Sequence, residues 1–175
     1  MKLILIRHFK VSCAWKAFYN SQEYEKAWTA YDNSDIIDSG LRIAPKYKIV
    51  TSAIHRTIET SRLLFGKDPD FSDSSICEVP IKAFTSSKIK LPKVIWDVIA
   101  RIQWRLGSKR QPESYNESVV RVNLFIDKML MQEENLIIIS HGWIIKLMIK
   151  RLSLWGYKGP RPLFIKTGIP MEYKK

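Results

Sequence analysis

The chain has three histidines, and two of them, His8 and His141, stand directly after apolar runs, in Leu5-Ile6-Arg7-His8 and Ile139-Ser140-His141-Gly142. In an open α/β sheet the carboxyl ends of parallel strands form the ligand crevice. Both imidazoles are therefore expected at one edge of such a sheet, with Arg7 beside the first. Arg56 falls in the first turn of an expected helix that follows the run ending near Thr51. That turn also offers free backbone N–H groups and the positive end of the helix dipole. Two arginines, two histidines and helix N-termini at one edge suit a dianionic phosphate, because the planar guanidinium fork binds two oxygens at once. Alone, an Arg-His pair or a Ser-His-Gly triplet is more often structural than catalytic. The weight lies in the combination, with each member at a strand end. His55 precedes Arg56 and reads as a surface or rim residue.

The elements that must position these groups follow from periodicity. Lys2–Ile6, Tyr47–Thr51 and Leu136–Ser140 read as buried strands, with Ile76–Val79 and Leu163–Lys166 as further candidates. Pro160 and Pro162 confine the last to a strand start or a sheet edge. Tyr24, Ala27, Trp28 and Tyr31 form a helical aromatic stripe, read as core packing. A second helix spans Ile54–Phe65 and stops at Gly66. Ser114-Tyr115-Asn116-Glu117 is a capping box opening a third, which carries Val122, Ile126 and Met129. A fourth runs from about Trp143 to Leu152. Strands alternating with helices predict a three-layer α/β/α sandwich with a mostly parallel sheet. Between Lys82 and Pro112 the pattern differs. There Val94, Ile95, Val98, Ile102 and Leu106 alternate with Trp96, Arg101, Trp104 and Arg105. This reads as an inserted helix with a basic face, either a lid (about 82–112) or an ordinary surface helix.

A length of 175 residues suits one domain with one core. The formal net charge is +12, and it is lopsided. Residues 1–80 hold 11 Lys+Arg and 10 Asp+Glu, whereas residues 81–175 hold 18 and 7. Such a balance favours anionic partners, whether phosphorylated metabolites, nucleic acid or anionic lipid, and charge alone does not choose among them. No nucleic-acid motif is present, which sets nucleic acid aside. No apolar run is long enough to span a bilayer, and Leu3–Ile6 is too short for a signal segment. A cytoplasmic location and no membrane partner are expected. Cys13 and Cys77 lack metal-site spacing and read as small buried hydrophobes. No residue cluster asks for a metal or a cofactor, and oligomeric state has no signature.

On these residues the chain resembles the histidine phosphatases of the phosphoglycerate mutase-like superfamily. Leu5-Ile6-Arg7-His8 resembles the start of the family's Arg-His-Gly signature. Thr51-Ser52-Ala53-Ile54-His55-Arg56-Thr57-Ile58-Glu59-Thr60 resembles its Ser-Ser-x-x-x-Arg-x-x-x-Thr segment. Glu113-Ser114 and the helix beyond it resemble the Gly-Glu-Ser helix, and Ser140-His141-Gly142 matches the late Ser-His-Gly motif. The likeness keeps the family's order over nearly the whole chain.

The resemblance implies a metal-independent phosphatase. His8 would be the nucleophile, forming a phosphohistidine. Arg7, Arg56 and a protonated His141 would hold the phosphoryl oxygens, and Glu78 would be the acid. The implied substrate is a phosphorylated small molecule, with a phosphoprotein the alternative that an inserted lid disfavours. A second reading is a phosphate-ligand sensor or partner-binding module on the same fold. The chain departs from the pattern at Phe9, where the family has glycine, and this is expected to narrow the pocket or shift the loop. Val11 replaces a common Thr or Ser, the glycine after the acid is missing, and only Leu41–Lys48 separates Gly40 from the next strand.

Overall fold

In a computed structural model describing residues 1–175, the chain runs β1 (Lys2–Arg7), β2 (Phe18–Tyr19), α1 (Ser21–Asp32), β3 (Lys48–Ser52), α2 (His55–Phe65) and β4 (Phe71–Asp73). It continues with β5 (Leu91–Pro92), α3 (Lys93–Leu106), α4 (Tyr115–Met131), β6 (Leu136–Ser140), α5 (Gly142–Leu154) and β7 (Met171–Lys174). The residues gather into two compact units. One comprises Met1–Lys10, Ile36–Glu78 and Val120–Lys175; the other comprises Val11–Asp35 and Val79–Val119.

The first unit is built on a five-stranded sheet ordered β4-β3-β6-β1-β7. The first four strands are parallel and β7 is antiparallel to β1. All five residues of β6 are buried. A strand alternates its side chains between faces, so both faces of this sheet are covered. On one face Ile6, Ile49, Ile137 and Ile139 join Leu64 and Phe65 of α2. Leu3, Leu5, Val50 and Ile138 alternate with them and are equally buried. Each such side chain contributes roughly 1.5–3 kcal/mol. The mostly parallel α/β architecture expected from the sequence is thus present. Helix α2 stops where expected, at Gly66, whose φ of 68° is the left-handed conformation that glycine adopts freely.

Two strand expectations fail for local reasons. Ile76–Val79 is no strand. The fourth parallel strand is Phe71–Asp73, and a single 3₁₀ turn, Ser74–Ile76, follows it. The Asp73 carboxylate accepts the Ser75 N–H at 2.8 Å and turns the chain there, while Ile76 is buried from the turn. Leu163–Lys166 is also irregular, and only Thr167 bridges to Arg7. The edge strand lies further on, where Met171 and Tyr173 point inward and Glu172 and Lys174 outward. Cys13 and Cys77 are free and half-buried.

The second unit has its own core of Tyr19, Tyr24, Ala83 and Trp96. The Tyr24 and Trp96 rings stack at 5.5 Å, and Trp96 Nε1–H donates to the Tyr19 carbonyl at 2.8 Å. Helix α3 exists as expected, but its two indoles, grouped in the sequence with the basic residues, point inward. Trp96, Ala100 and Trp104 are buried at four-residue spacing, leaving Val94, Val98, Ile102 and Leu106 exposed. An indole buries more apolar surface than an aliphatic side chain and brings a polar handle. Trp104 uses its handle, donating Nε1–H to Ser118 Oγ at 3.0 Å. The capping box is made: Glu117 accepts the Ser114 N–H at 2.7 Å, and Ser114 Oγ accepts the Glu117 N–H at 3.2 Å. No helix is long and apolar enough to cross a membrane.

Candidate functional site

Strands β1 and β6 run parallel in a register that pairs Arg7 with Ser140. One more ladder bond, from the His8 N–H to the Ser140 carbonyl at 3.0 Å, carries the pairing past the strand end. His8 and His141 therefore emerge side by side, with ring centroids 5.1 Å apart. Strand β3 ends in the same direction at Ser52, and Arg56 follows in the first turn of α2. His8, Arg56 and His141 are all buried. A Cβ added at Gly142 would lie 3.6 Å from Arg7 Cζ, so the Arg7 guanidinium sits at the N-terminal end of α5. Neither α2 nor α5 has a side-chain N-cap. The structure thus gathers Arg7, His8, Arg56 and His141 at one sheet edge, as the strand-end argument required.

The tautomer of His8 follows from its surroundings. Its Nδ1 lies 2.6 Å from the Phe9 carbonyl oxygen. A carbonyl only accepts, so Nδ1 carries the proton and the Nε2 lone pair is left for chemistry. Burial, then the positive charges of Arg56 and Arg7, push the His8 pKa down to about 3, outweighing the opposing pull of the Phe9 carbonyl. The ring is held neutral.

His141 can be traced in the same way. The Thr57 hydroxyl has one hydrogen, and two carbonyls compete for it, Ile54 at 2.7 Å and Ser52 at 2.9 Å. Thr57 Oγ1 must then accept from Ser52 Oγ at 2.9 Å. With the Ser52 hydrogen committed, the 2.8 Å contact between Ser52 Oγ and His141 Nε2 requires Nε2–H to donate. The lone pair sits on Nδ1, which is buried and has no hydrogen-bond partner. Burial, the neighbouring His8, and Arg56, Arg7 and Arg121 hold His141 well below the usual histidine pKa. Without an anion His141 is neutral. The protonated form expected from the sequence requires a negative charge that offsets those cations. Arg7 Nη1 donates to the Ile165 carbonyl at 2.9 Å, while its buried Nε has no hydrogen-bond partner. A phosphoryl oxygen would satisfy the Arg7 Nε donor, and a proton taken up at Nδ1 would give His141 a donor to such an oxygen.

Phe9 does not narrow the pocket. Its ring turns into the core beside Ile6, Leu64 and Phe65. Its N–H donates to Thr60 Oγ1 at 3.0 Å, and the Thr60 hydroxyl donates to the Arg56 carbonyl at 2.7 Å. Only the Phe9 backbone serves the site. Room for the ring comes from Gly168 (φ 71°), where a Cβ would fall 2.5 Å from Phe9 Cε1. The Gly168 N–H in turn donates to the Arg7 carbonyl at 2.7 Å. Sequence reasoning assigned no role to Ser52, Thr57, Thr60 or Gly168. The first three had a signal, since they lie in the motif around Arg56. Gly168 had none, because its need arises from a contact distant in sequence.

The backbone leading to Glu78 is tied to the same sheet edge. Ser140 Oγ donates to the buried Ile76 carbonyl at 2.8 Å. Arg121 Nη1 donates to the carbonyls of Ser75 at 2.6 Å and Cys77 at 2.9 Å. Glu78 follows directly and is half-buried. His55 stands apart from this group in its bonding: it is exposed, and its Nε2 lies 3.3 Å from Glu59 Oε2.

No family model matches the chain, and no curated protein matches it. Solved structures do. The α-ribazole phosphatase of Shigella flexneri is similar with a TM-score of 0.60 and 17% identity, over 98% of this chain and 89% of that one. The mycobacterial glucosyl-3-phosphoglycerate phosphatase is similar with a TM-score of 0.52 and 16% identity, over 86% of this chain and 78% of that one. The fold is that of the phosphoglycerate mutase-like histidine phosphatases.

Proposed function

We propose that the chain is a phosphatase that hydrolyses a phosphomonoester through a phosphohistidine on His8, without a metal ion. One observation carries the reading: the Phe9 carbonyl and the cationic, buried surroundings hold His8 neutral with its lone pair on Nε2. A histidine kept for structure has no use for that arrangement beside two arginines. In the proposed first step the Nε2 lone pair attacks phosphorus and the P–O bond to the leaving group breaks. Glu78 gives its proton to the departing oxygen. Arg7, Arg56 and His141 hold the remaining oxygens through the transition state, so catalysis rests on position and charge. In the second step the Glu78 carboxylate takes a proton from water, which attacks the phosphohistidine. Inorganic phosphate leaves, and His8 is again neutral.

The substrate is proposed to be a phosphorylated small molecule. The names of the two phosphatases of similar fold support this. A cytoplasmic location and a lid role for residues 82–112 belong to the same proposal and rest on the sequence alone. The test is hydrolysis of an aryl phosphate in EDTA, with His8→Ala beside the parent. Turnover in the parent and its loss in the variant are expected, with an acid-labile phosphoryl label on the parent after rapid quenching. Equal rates in the two proteins would exclude His8 as the nucleophile. Tight phosphate binding without turnover would favour the sensor.

A further inference from the structure

Helix α5 carries Trp143, Lys146, Lys150 and Leu154 at spacings of three, four and four residues, so they share one face of the helix. The strap beginning at Arg161-Pro162 lies against that face. Lys146, Lys150, Leu154, Arg161 and Pro162 line one basin of about 340 Å³, and the strap continues into Leu163 and Phe164. The apolar members are unusually bare: Leu154 is 73% exposed, Leu163 75% and Phe164 80%. A single surface leucine needs no explanation, whereas a bare leucine and phenylalanine in consecutive strap positions next to a basic basin do. Lys146 Nζ sits 4.9 Å from the Trp143 ring, and neither Lys146, Lys150 nor Arg161 forms an ion pair. The surrounding sequence is one-sided in charge. Residues 136–175 hold eight Lys+Arg and a single acid, Glu172, which lies 3.6 Å from Lys2.

The combination restricts the partner. Protein interfaces are depleted in lysine at their centres. Single-stranded nucleic acid asks for successive aromatic platforms along a basic groove, whereas here Trp143 and Phe164 stand with the exposed aliphatic Leu154 and Leu163. A bilayer surface takes both kinds of group, because leucine and phenylalanine enter the acyl boundary while lysine and arginine face the headgroups. We propose that the α5 face and the Arg161–Phe164 strap dock this protein onto an anionic lipid surface. The expectation of no membrane partner rested on the lack of a spanning run, and surface docking needs no such run. The docking is independent of the phosphatase reading. It would nonetheless couple the site to the docked face, since His141 directly precedes α5 and the strap's Ile165 carbonyl holds Arg7.

The test is sedimentation of the full chain with vesicles of phosphatidylcholine, with and without phosphatidylserine. Binding is expected only with phosphatidylserine, weakening as salt rises and surviving millimolar inorganic phosphate. Leu163→Ser/Phe164→Ser and Lys146→Glu/Lys150→Glu should each weaken it by about tenfold or more, with unchanged circular dichroism and melting temperature. A folded Lys146→Gln/Lys150→Gln serves if the charge reversal disturbs folding. Several results would overturn the proposal: equal binding to neutral vesicles, no vesicle binding, or parent-like binding by the folded variants. So would displacement by inorganic phosphate, which would mark a simple anion site. Capture of single-stranded RNA with the same variant sensitivity, and no vesicle binding, would reassign the face to nucleic acid.

Discussion

At the residue scale the loop after His8 depends on a pair that no local pattern announces. Phe9 puts a large ring directly after His8, and the chain accommodates it by placing Gly168 under that ring. Gly168→Ala adds a Cβ at positive φ and 2.5 Å from Phe9 Cε1, and it should cost about 1–3 kcal/mol. Phe9→Ala opens a cavity in the core and should cost about 3–5 kcal/mol. The two changes share one contact, so the double variant should be more stable than the sum by at least about 0.5 kcal/mol. Urea denaturation of the four proteins measures this coupling, and strict additivity would mean that ring and glycine do not depend on each other. His8, Arg7, Arg56 and His141 were legible in the sequence because strand ends converge by topology. The hydroxyl chain from Thr57 through Ser52 to His141 was not, because short hydroxyl side chains carry no periodic signal.

At the scale of elements, long apolar runs declared themselves and short ones did not. Strands β1, β3 and β6 are read from their own residues, because burial on both faces demands continuous Ile, Leu and Val. Strand β4 is three residues long and largely exposed, and only its pairing with β3 makes it a strand. The turn after it matters for the proposed acid, since Ser140 and Arg121 fix the carbonyls of residues 75–77. Ser140→Ala would leave the buried Ile76 carbonyl without its donor and should cost about 1–3 kcal/mol. If Glu78 is the acid, Glu78→Gln should slow alkyl phosphates roughly a hundredfold or more while sparing nitrophenyl phosphate, whose leaving oxygen needs little protonation. Ser140→Ala should show the same selectivity in milder form. An unchanged ratio of the two rates in Glu78→Gln would remove Glu78 from the mechanism.

At the scale of the molecule, two buried neutral histidines tie stability to pH. His8 and His141 both titrate below the ordinary histidine range in the native state. In the unfolded chain both return to about 6.5. Above that value neither state binds the protons, and the pair costs nothing. As pH falls below it the unfolded chain takes up protons that the native site refuses, until His8 itself titrates at about 3. Stability should therefore fall from about pH 6.5 downward, and near pH 5 His8 alone should cost about 2 kcal/mol, with His141 acting in the same direction. That is a large fraction of the roughly 5–15 kcal/mol that holds a domain together. A phosphate anion among Arg7, Arg56 and the rings would stabilise a protonated His141 and should restore part of the loss. The measurement is the urea midpoint at about pH 7.5 and pH 5, with and without millimolar phosphate, for the parent and for His8→Gln/His141→Gln. The parent should lose stability on acidification and recover part of it with phosphate, and the double variant should show a shallower slope and no recovery. A parent slope no steeper than that of the variant would mean that the two rings accept protons in the folded protein, and neutral His8 would no longer be available as the nucleophile.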